Sequence, residues 1–231
     1  MRPAAKEEKQ VRELTLDPPD WPEVQTLAHR IIDDSVAYLR DVRQRPAWRE
    51  MPPEVRARLA GPLPQTPAPL EAIYRDVVET VMAYPMGNIH PRFWSWYMGS
   101  SNFTGALGDF LAAVQGSNLG GGDHAAALMD QQVVGWLKQM IGFPASASGT
   151  LVSGGSMANL LGLLVARNLK AGVDVRERGV AAIEQPLRFY GSDQIHGCHR
   201  KAVEALGHGN AALRRIPTDP QFRIDIDALR A

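Results

Sequence analysis

A glycine-rich segment with two serines has the residue types and spacing best suited to chemistry. It reads Thr150-Leu151-Val152-Ser153-Gly154-Gly155-Ser156-Met157-Ala158-Asn159 and is followed by a long apolar run. The pattern predicts a strand over 150–152, a glycine turn and then a helix. Such a turn presents unpaired backbone N–H groups and a serine hydroxyl at the positive end of the helix dipole, which favours a phosphate group. The residue order matches neither common nucleotide-binding motif, so a turn without a ligand remains the alternative.

The elements around this turn alternate between helix and strand from about residue 118 onwards. Apolar spacing predicts helices over residues 128–141, from the glycine turn to about Gly172, and over 196–206. Strands are predicted over 187–190 and 212–216. Their helix–strand order predicts an α/β domain with a largely parallel sheet. Ligands of such sheets bind beyond the carboxyl ends of the strands, where the turns at 153–156 and 191–196 fall.

The chain before about Pro91 has helical spacing broken by prolines. The predicted helices lie between Asp20 and Pro46, at Pro52-Pro53, and between Pro69 and Pro85. We slightly favour an arm that packs on another subunit. The alternative is that these helices cover the chain's own core.

Composition limits the kind of protein this can be. The chain has 231 residues, of which 45% are hydrophobic and 22% charged, with a formal net charge of zero. This is typical of a globular protein and gives no electrostatic support for a nucleic-acid or membrane partner. Cys198 is the single cysteine, so we expect no intrachain disulfide, no cysteine-based zinc cluster and a cytoplasmic location. Cys198 with His196 and His199 is not a zinc pattern without further ligands, so no metal site is expected. Residues 1–10 are charged and are not expected to be a secretory signal, and no apolar stretch is long enough to span a bilayer.

The last ten residues predict a helix that has only begun. Phe222-Arg223-Ile224 leads into Asp225, a suitable N-cap, and one helical turn follows. A single turn has little to stabilise it. We therefore expect the chain to be the N-terminal part of a longer protein.

Three motifs, in order, resemble those of a known enzyme family. They are His90-Pro91-Arg92-Phe93-Trp94-Ser95-Trp96-Tyr97, Ser153-Gly154-Gly155-Ser156-Met157-Ala158-Asn159 and Ser192-Asp193-Gln194-Ile195-His196. The chain is similar to the group II pyridoxal-phosphate-dependent amino-acid decarboxylases, which include aromatic-L-amino-acid decarboxylase and glutamate decarboxylase. The resemblance implies an α/β fold of the aspartate-aminotransferase-like type (PLP fold type I), present incompletely, and a homodimer. It implies a helical arm over residues 1–90 and the N-terminal part of the large cofactor domain over 91–231.

The resemblance also assigns roles to individual residues. Gly155 and Ser156 fall where the family binds the phosphate of pyridoxal 5'-phosphate, and His196 falls where a catalytic histidine lies flat against the pyridine ring. A solvent-facing histidine at a helix start is the alternative for His196. The positions that line the family's substrate pocket are Trp96, Tyr97, Met98 and Gly99. Core packing is an equally good interpretation of Trp96.

The expected function is decarboxylation of an amino acid, with the identity of the amino acid left open. The family's Schiff-base lysine and its aspartate partner of the ring nitrogen are expected beyond residue 231, so this chain alone is expected to be inactive. Met157 departs from the acidic residue of the animal aromatic decarboxylases. Two alternatives remain open: another fold type I lyase, similar to sphingosine-phosphate lyase, and a non-catalytic homologue.

Overall fold

The chain is described here by a computed structural model that covers residue 15 and residues 17–231. The segment 1–10, interpreted above as not being a secretory signal, lies outside the described residues. Two compact units are present, one ending at Ser117 and the other beginning at Asn118. The domain boundary expected between residues 90 and 91 stays a prediction.

The first unit contains the helices predicted between the prolines. They are α1 (Trp21–Arg40) with a 3₁₀ turn at Val42–Gln44, α2 (Pro53–Leu59), and α3 (Leu70–Val77), which continues as a π-helical turn over Val78–Met82. Asp20 caps α1, because its carboxylate accepts a hydrogen bond from the Glu23 N–H at 3.0 Å. The three predicted helices are therefore confirmed, with starts set by an acidic cap and by prolines.

A further helix of this unit, α4 (Phe103–Gln115), was not predicted. Gly105 and Gly108 lie inside it, and glycine lowers helix propensity. Its end signals were nevertheless present in the sequence. The Asn102 side chain accepts from the Gly105 N–H at 2.8 Å, and Gly116 ends the helix in the left-handed conformation with φ of 66°.

The second unit alternates helices and strands, as predicted. Its elements are α5 (Ala125–Met140), α6 (Gly155–Lys170), α7 (Val175–Arg178), β1 (Phe189–Ser192), α8 (Cys198–Ala205), β2 (Leu213–Ile216) and α9 (Ile226–Arg230), with 3₁₀ turns at Val180–Ala182 and Asn210–Ala212. The strands β1 and β2 pair in parallel, with Phe189 opposite Leu213 and Ser192 opposite Ile216. The parallel pairing that the β–α–β order predicted is confirmed for these strands.

The strand predicted over 150–152 is absent, which corrects that expectation. Within the described residues the sheet contains β1 and β2 alone, and the segment before α6 makes no ladder. Leu151 is half exposed there. A strand requires a neighbour with which to exchange backbone hydrogen bonds, and residues 150–152 have none.

The core of the second unit is centred on α8. Val203 is completely buried, Cys198 and Ala202 on the same helix are nearly so, and so is Leu206, which follows the helix. The helix packs against α6, and Ile216 of β2 is also buried. Among the described helices, none combines the length and apolar character that crossing a membrane requires.

Candidate functional site

The start of α6 offers free hydrogen-bond donors. The first backbone hydrogen bond of this helix runs from the Ala158 N–H to the Gly154 carbonyl at 3.0 Å. The N–H groups of Gly155, Ser156 and Met157 therefore have no acceptor within the helix. No side chain caps this end, and no acidic residue occupies its first turn in the part of the chain described. These donors, at the positive end of a 16-residue helix, suit an anion.

Glycine keeps the approach to these donors open. A Cβ atom built on Gly154 or Gly155 would meet no other atom within 4 Å. Gly154 has φ of 153°, which side-chain-bearing residues rarely adopt. Ser156 is exposed on the first turn. The backbone donors and the Ser156 hydroxyl therefore fit a phosphate group.

The turn after β1 is tied to the neighbouring strand. The Asp193 N–H donates to the carbonyl of Ile216 at 2.8 Å. The Asp193 carboxylate accepts a hydrogen bond from the Thr218 hydroxyl at 2.9 Å. This hydrogen bond is the largest cause that lowers the pKa of Asp193, and a hydrogen bond from the Gln194 side chain is the second. The segment that leads to His196 is thus fixed at the carboxyl end of the parallel strands, as predicted.

His196 has a defined ring orientation although it is exposed. The Cys198 N–H donates to its Nδ1 at 3.2 Å. Because Nδ1 is the acceptor, the neutral ring carries its proton on Nε2. The open face and the Nε2–H group are therefore free to contact a ligand.

A direct contact connects the two predicted parts of the site. Asn159 of α6 donates from its side-chain nitrogen to the Cys198 sulfur at 3.3 Å. Ser156 and Asn159 are three residues apart and so share one helix face. The structure thus brings the helix start that carries Ser156 and the His196–Cys198 segment to the same side of the unit.

Two residues that sequence reasoning did not assign to the site lie here. One is Asn159, whose spacing from Ser156 is the signal that identifies it. The other is Lys201, which lines a shallow groove of about 230 Å³ between α6 and α8 together with Ser156.

The predicted substrate residues lie in the first unit, whereas Ser156 and His196 lie in the second. Tyr97 is fully exposed and Trp96 is 60% exposed, with the Trp96 ring edge-on to Phe93 at 5.5 Å between centroids. The assignment of Trp96 to a substrate pocket and its alternative, core packing, both stay predictions. Met98 is also exposed, and the carbonyl of Gly99 accepts a hydrogen bond from the Asn88 side chain at 3.1 Å.

Comparison with known proteins agrees with this geometry. The family model "Pyridoxal-dependent decarboxylase conserved domain" matches residues 52–231. The chain belongs to this family. Its fold is that of the family's solved structures: crystalline tryptophan decarboxylase of Catharanthus roseus, in complex with L-tryptophan, is 25% identical with a TM-score of 0.77, over 93% of this chain and 46% of that one.

Curated relatives are similar over nearly the whole chain. The aromatic-L-amino-acid decarboxylase of Bacillus atrophaeus is 30% identical over 213 residues, which cover 90% of this chain and 42% of that protein. The tyrosine decarboxylase of Oryza sativa subsp. japonica is 31% identical over 225 residues, covering 92% of this chain and 41% of that protein. The chain thus spans less than half the length of these relatives.

Proposed function

We propose that the complete protein is a pyridoxal-phosphate-dependent carboxy-lyase that acts on an amino acid. The observation that carries this proposal is the open donor set at the start of α6, in a chain of the pyridoxal-dependent decarboxylase family. The names of the relatives, which are decarboxylases of amino acids, support the reaction type.

The residues at the start of α6 hold the cofactor phosphate in this proposal. The N–H groups of Gly155 and Ser156 and the Ser156 hydroxyl donate to phosphate oxygens, and the helix dipole favours their negative charge. The cofactor, when bound, supplies a ring that accepts the electron pair released as the carboxylate leaves.

His196 lies against the cofactor ring and fixes its orientation. Its own orientation is held by the hydrogen bond from the Cys198 N–H to Nδ1, and the contact between Asn159 and Cys198 secures that segment to α6. In that place His196 would hold the cofactor ring from one side and would limit the access of water to it. His196 thus acts on the reaction through position and through its Nε2–H donor.

The substrate in this proposal is an amino acid with an aromatic side chain. Trp96, Tyr97, Met98 and Gly99 form its pocket. The exposed aromatic rings of Trp96 and Tyr97 suit such a side chain, and the relatives are named for aromatic amino acids.

We also infer a homodimer and a cytoplasmic location. On α4 the side chains of Phe110, Leu111 and Val114 are 56–71% exposed, which leaves an apolar face for a second copy to cover. The cytoplasmic location is supported by Cys198, a buried free thiol and the single cysteine of the sequence. Light scattering of the complete protein after size exclusion tests the dimer, and a monomeric mass contradicts it.

The reaction is tested by measuring carbon dioxide and amine release from each of the common amino acids by the complete protein loaded with pyridoxal phosphate. We expect release from an aromatic amino acid and none from the same protein stripped of cofactor. Full cofactor binding with no release from any amino acid would contradict the carboxy-lyase and favour the non-catalytic homologue.

A further inference from the structure

The turn that leads to His196 begins where the two parallel strands end. Ser192 and Ile216 are the last residues that pair between β1 and β2, and the Asp193 N–H extends the pairing by donating to the Ile216 carbonyl at 2.8 Å. His196 follows Asp193 by three residues and is exposed. Because burial does not hold the His196 side chain, its position depends on how the backbone of residues 192–196 is fixed.

A hydrogen bond between two side chains connects this turn to the segment after β2. The Thr218 hydroxyl donates to Asp193 Oδ1 at 2.9 Å, although the two residues are 25 positions apart in the chain. The Gln194 side chain donates to the same oxygen at 3.1 Å. Among the described residues, no second side-chain hydrogen bond joins the turn to the segment after β2, so this one is its specific connection.

Thr218 belongs to a loop whose backbone is itself well defined. The residue forms an antiparallel bridge with Ile224. Between these two positions the Asp219 carboxylate accepts hydrogen bonds from the N–H groups of Gln221 and Arg223, each at 2.9 Å. The Thr218 hydroxyl therefore extends from a closed loop and can hold the turn that it contacts.

The end of the same turn is fixed by packing. A Cβ atom on Gly191 would lie 2.5 Å from Cδ1 of Ile195, so the Ile195 side chain covers the strand at a position without a side chain. The Ile195 N–H also donates to the Ser192 carbonyl at 3.1 Å. The residue before His196 is thus held against β1, while Asp193 holds the beginning of the turn.

We propose that Asp193 and Thr218 are positioning residues for His196. Their hydrogen bond fixes the start of the turn and so keeps the His196 ring where its Nδ1 accepts from the Cys198 N–H at 3.2 Å. The importance of this position for the reaction rests on the proposed function. The effect on the ring itself is a property of the chain without cofactor.

The first test measures how fast diethyl pyrocarbonate modifies His196 in the chain without cofactor, with peptide mass spectrometry to identify the modified residue. The reagent attacks an unprotonated ring nitrogen, and in the parent that atom is Nδ1, which the Cys198 N–H occupies. Thr218→Val removes the hydroxyl with little change in size and is expected to raise the rate at His196 at least about threefold. Thr218→Ser keeps a hydroxyl and should react like the parent.

Two controls separate positioning from general loosening of the chain. Thr15→Val removes a hydroxyl that donates to Asp17 at 3.0 Å in the first unit, and it should leave the rate at His196 unchanged. His208 is an internal reference in the second unit, because its Nε2 is buried, and its rate should be the same in all variants. Equal rates at His196 in the parent and in Thr218→Val would overturn the proposal, and so would a parallel rise at His208.

The second test measures turnover and cofactor affinity of the complete protein. Thr218→Val should lower kcat about threefold with a smaller effect on the affinity for pyridoxal phosphate, because Thr218 acts through His196 and not through Ser156. Thr218→Ser should restore kcat. Faster modification of His196 in Thr218→Val with unchanged kcat would support the positioning of the ring and contradict the proposed role of His196 in the reaction.

Discussion

Asn159 on α6 donates a hydrogen bond to the sulfur of Cys198 at the start of α8, over 3.3 Å. Asn159 lies three residues after Ser156, and Cys198 lies two residues after His196. One side-chain contact therefore joins the helix that carries the proposed phosphate anchor to the segment that carries the proposed ring-stacking histidine. The buried thiol also has His199 Nδ1 at 3.6 Å, so Asn159 supplies its shorter contact.

Asn159→Ala tests this connection. We expect it to lower the free energy of unfolding by about 1 kcal/mol, because a buried acceptor loses its donor. Denaturant titration of the chain measures the loss. Asn168→Ala is the matched control, since Asn168 lies on the same helix and its side chain is bonded to the adjacent Arg167. Equal destabilisation by the two variants would show that the contact with Cys198 has no special weight.

Ser156→Ala tests the phosphate anchor in the complete protein. Loss of one hydrogen bond to a charged group is worth about 1.5–3 kcal/mol, so the affinity for pyridoxal phosphate should fall by about one to two decades. A cofactor titration followed by absorbance measures this. Ser146→Ala, at an exposed loop position before α6, should bind cofactor like the parent. If Ser156→Ala also binds like the parent, Ser156 is not the anchor.

The sequence predicted elements well where local signals agreed. Asp20 at α1 and Asp225 at α9 both cap their helices as their residue types indicated, and Gly172 follows α6 with φ of 71°. Such signals depend on the nearest few residues, which is why they can be recognised without a structure. The glycine turn before α6 was predicted on the same grounds.

Features that depend on distant neighbours could not be predicted in this way. The apolar segment 150–152 has strand-like residues, yet pairing requires a partner that its own sequence does not identify. The hydrogen bond between Asn159 and Cys198 joins residues 39 positions apart, so no local pattern in the sequence indicates it. The proposed roles of Ser156 and His196 were predicted from motifs, whereas the contact that connects their segments was found only from the structure.

His196→Ala tests the catalytic position in the complete protein. We expect turnover to fall more than cofactor affinity, because stacking and orientation matter most as the carboxylate leaves. His196→Phe separates the two roles. It loses the Nδ1 acceptor for the Cys198 N–H but keeps a flat aromatic ring. Because a flat ring can still stack on the cofactor, cofactor affinity should be retained better than in the alanine variant. Steady-state kinetics beside cofactor titration measure both quantities, and full turnover by His196→Ala would rule out the assignment.

Gly87→Ala tests a close backbone approach in the first unit. The new Cβ would lie 2.2 Å from the Ala47 carbonyl oxygen at a φ of 97°, so the backbone must shift. We expect a loss of about 3 kcal/mol or more in the free energy of unfolding. Gly108→Ala on α4 is the control, where a Cβ meets no atom within 4 Å, and it should stabilise the chain by up to about 1 kcal/mol. Thermal unfolding of both variants shows whether their effects have opposite signs.

His208 is expected to make the stability of the chain depend on pH. Its ring lies 5.3 Å from that of Phe189, and its Nε2 is buried without a partner among the described residues. Burial, followed by the nearby charge of Arg167, lowers the pKa of His208 below its usual value of about 6.5. The unfolded chain therefore takes up a proton at a higher pH than the folded chain does. The stabilisation by neutral His208 is complete above pH about 6.5 and is lost as the pH falls through the folded pKa.

Denaturant titrations of the parent and of His208→Gln at pH 8 and at pH about 5.5 test this dependence. The parent should lose more stability between the two pH values than His208→Gln does, because glutamine does not titrate. His29→Gln is the control, since His29 is exposed on α1. It should keep the parent's full pH dependence. If His208→Gln loses as much stability on acidification as the parent, protonation of other groups governs the transition and His208 does not contribute to it.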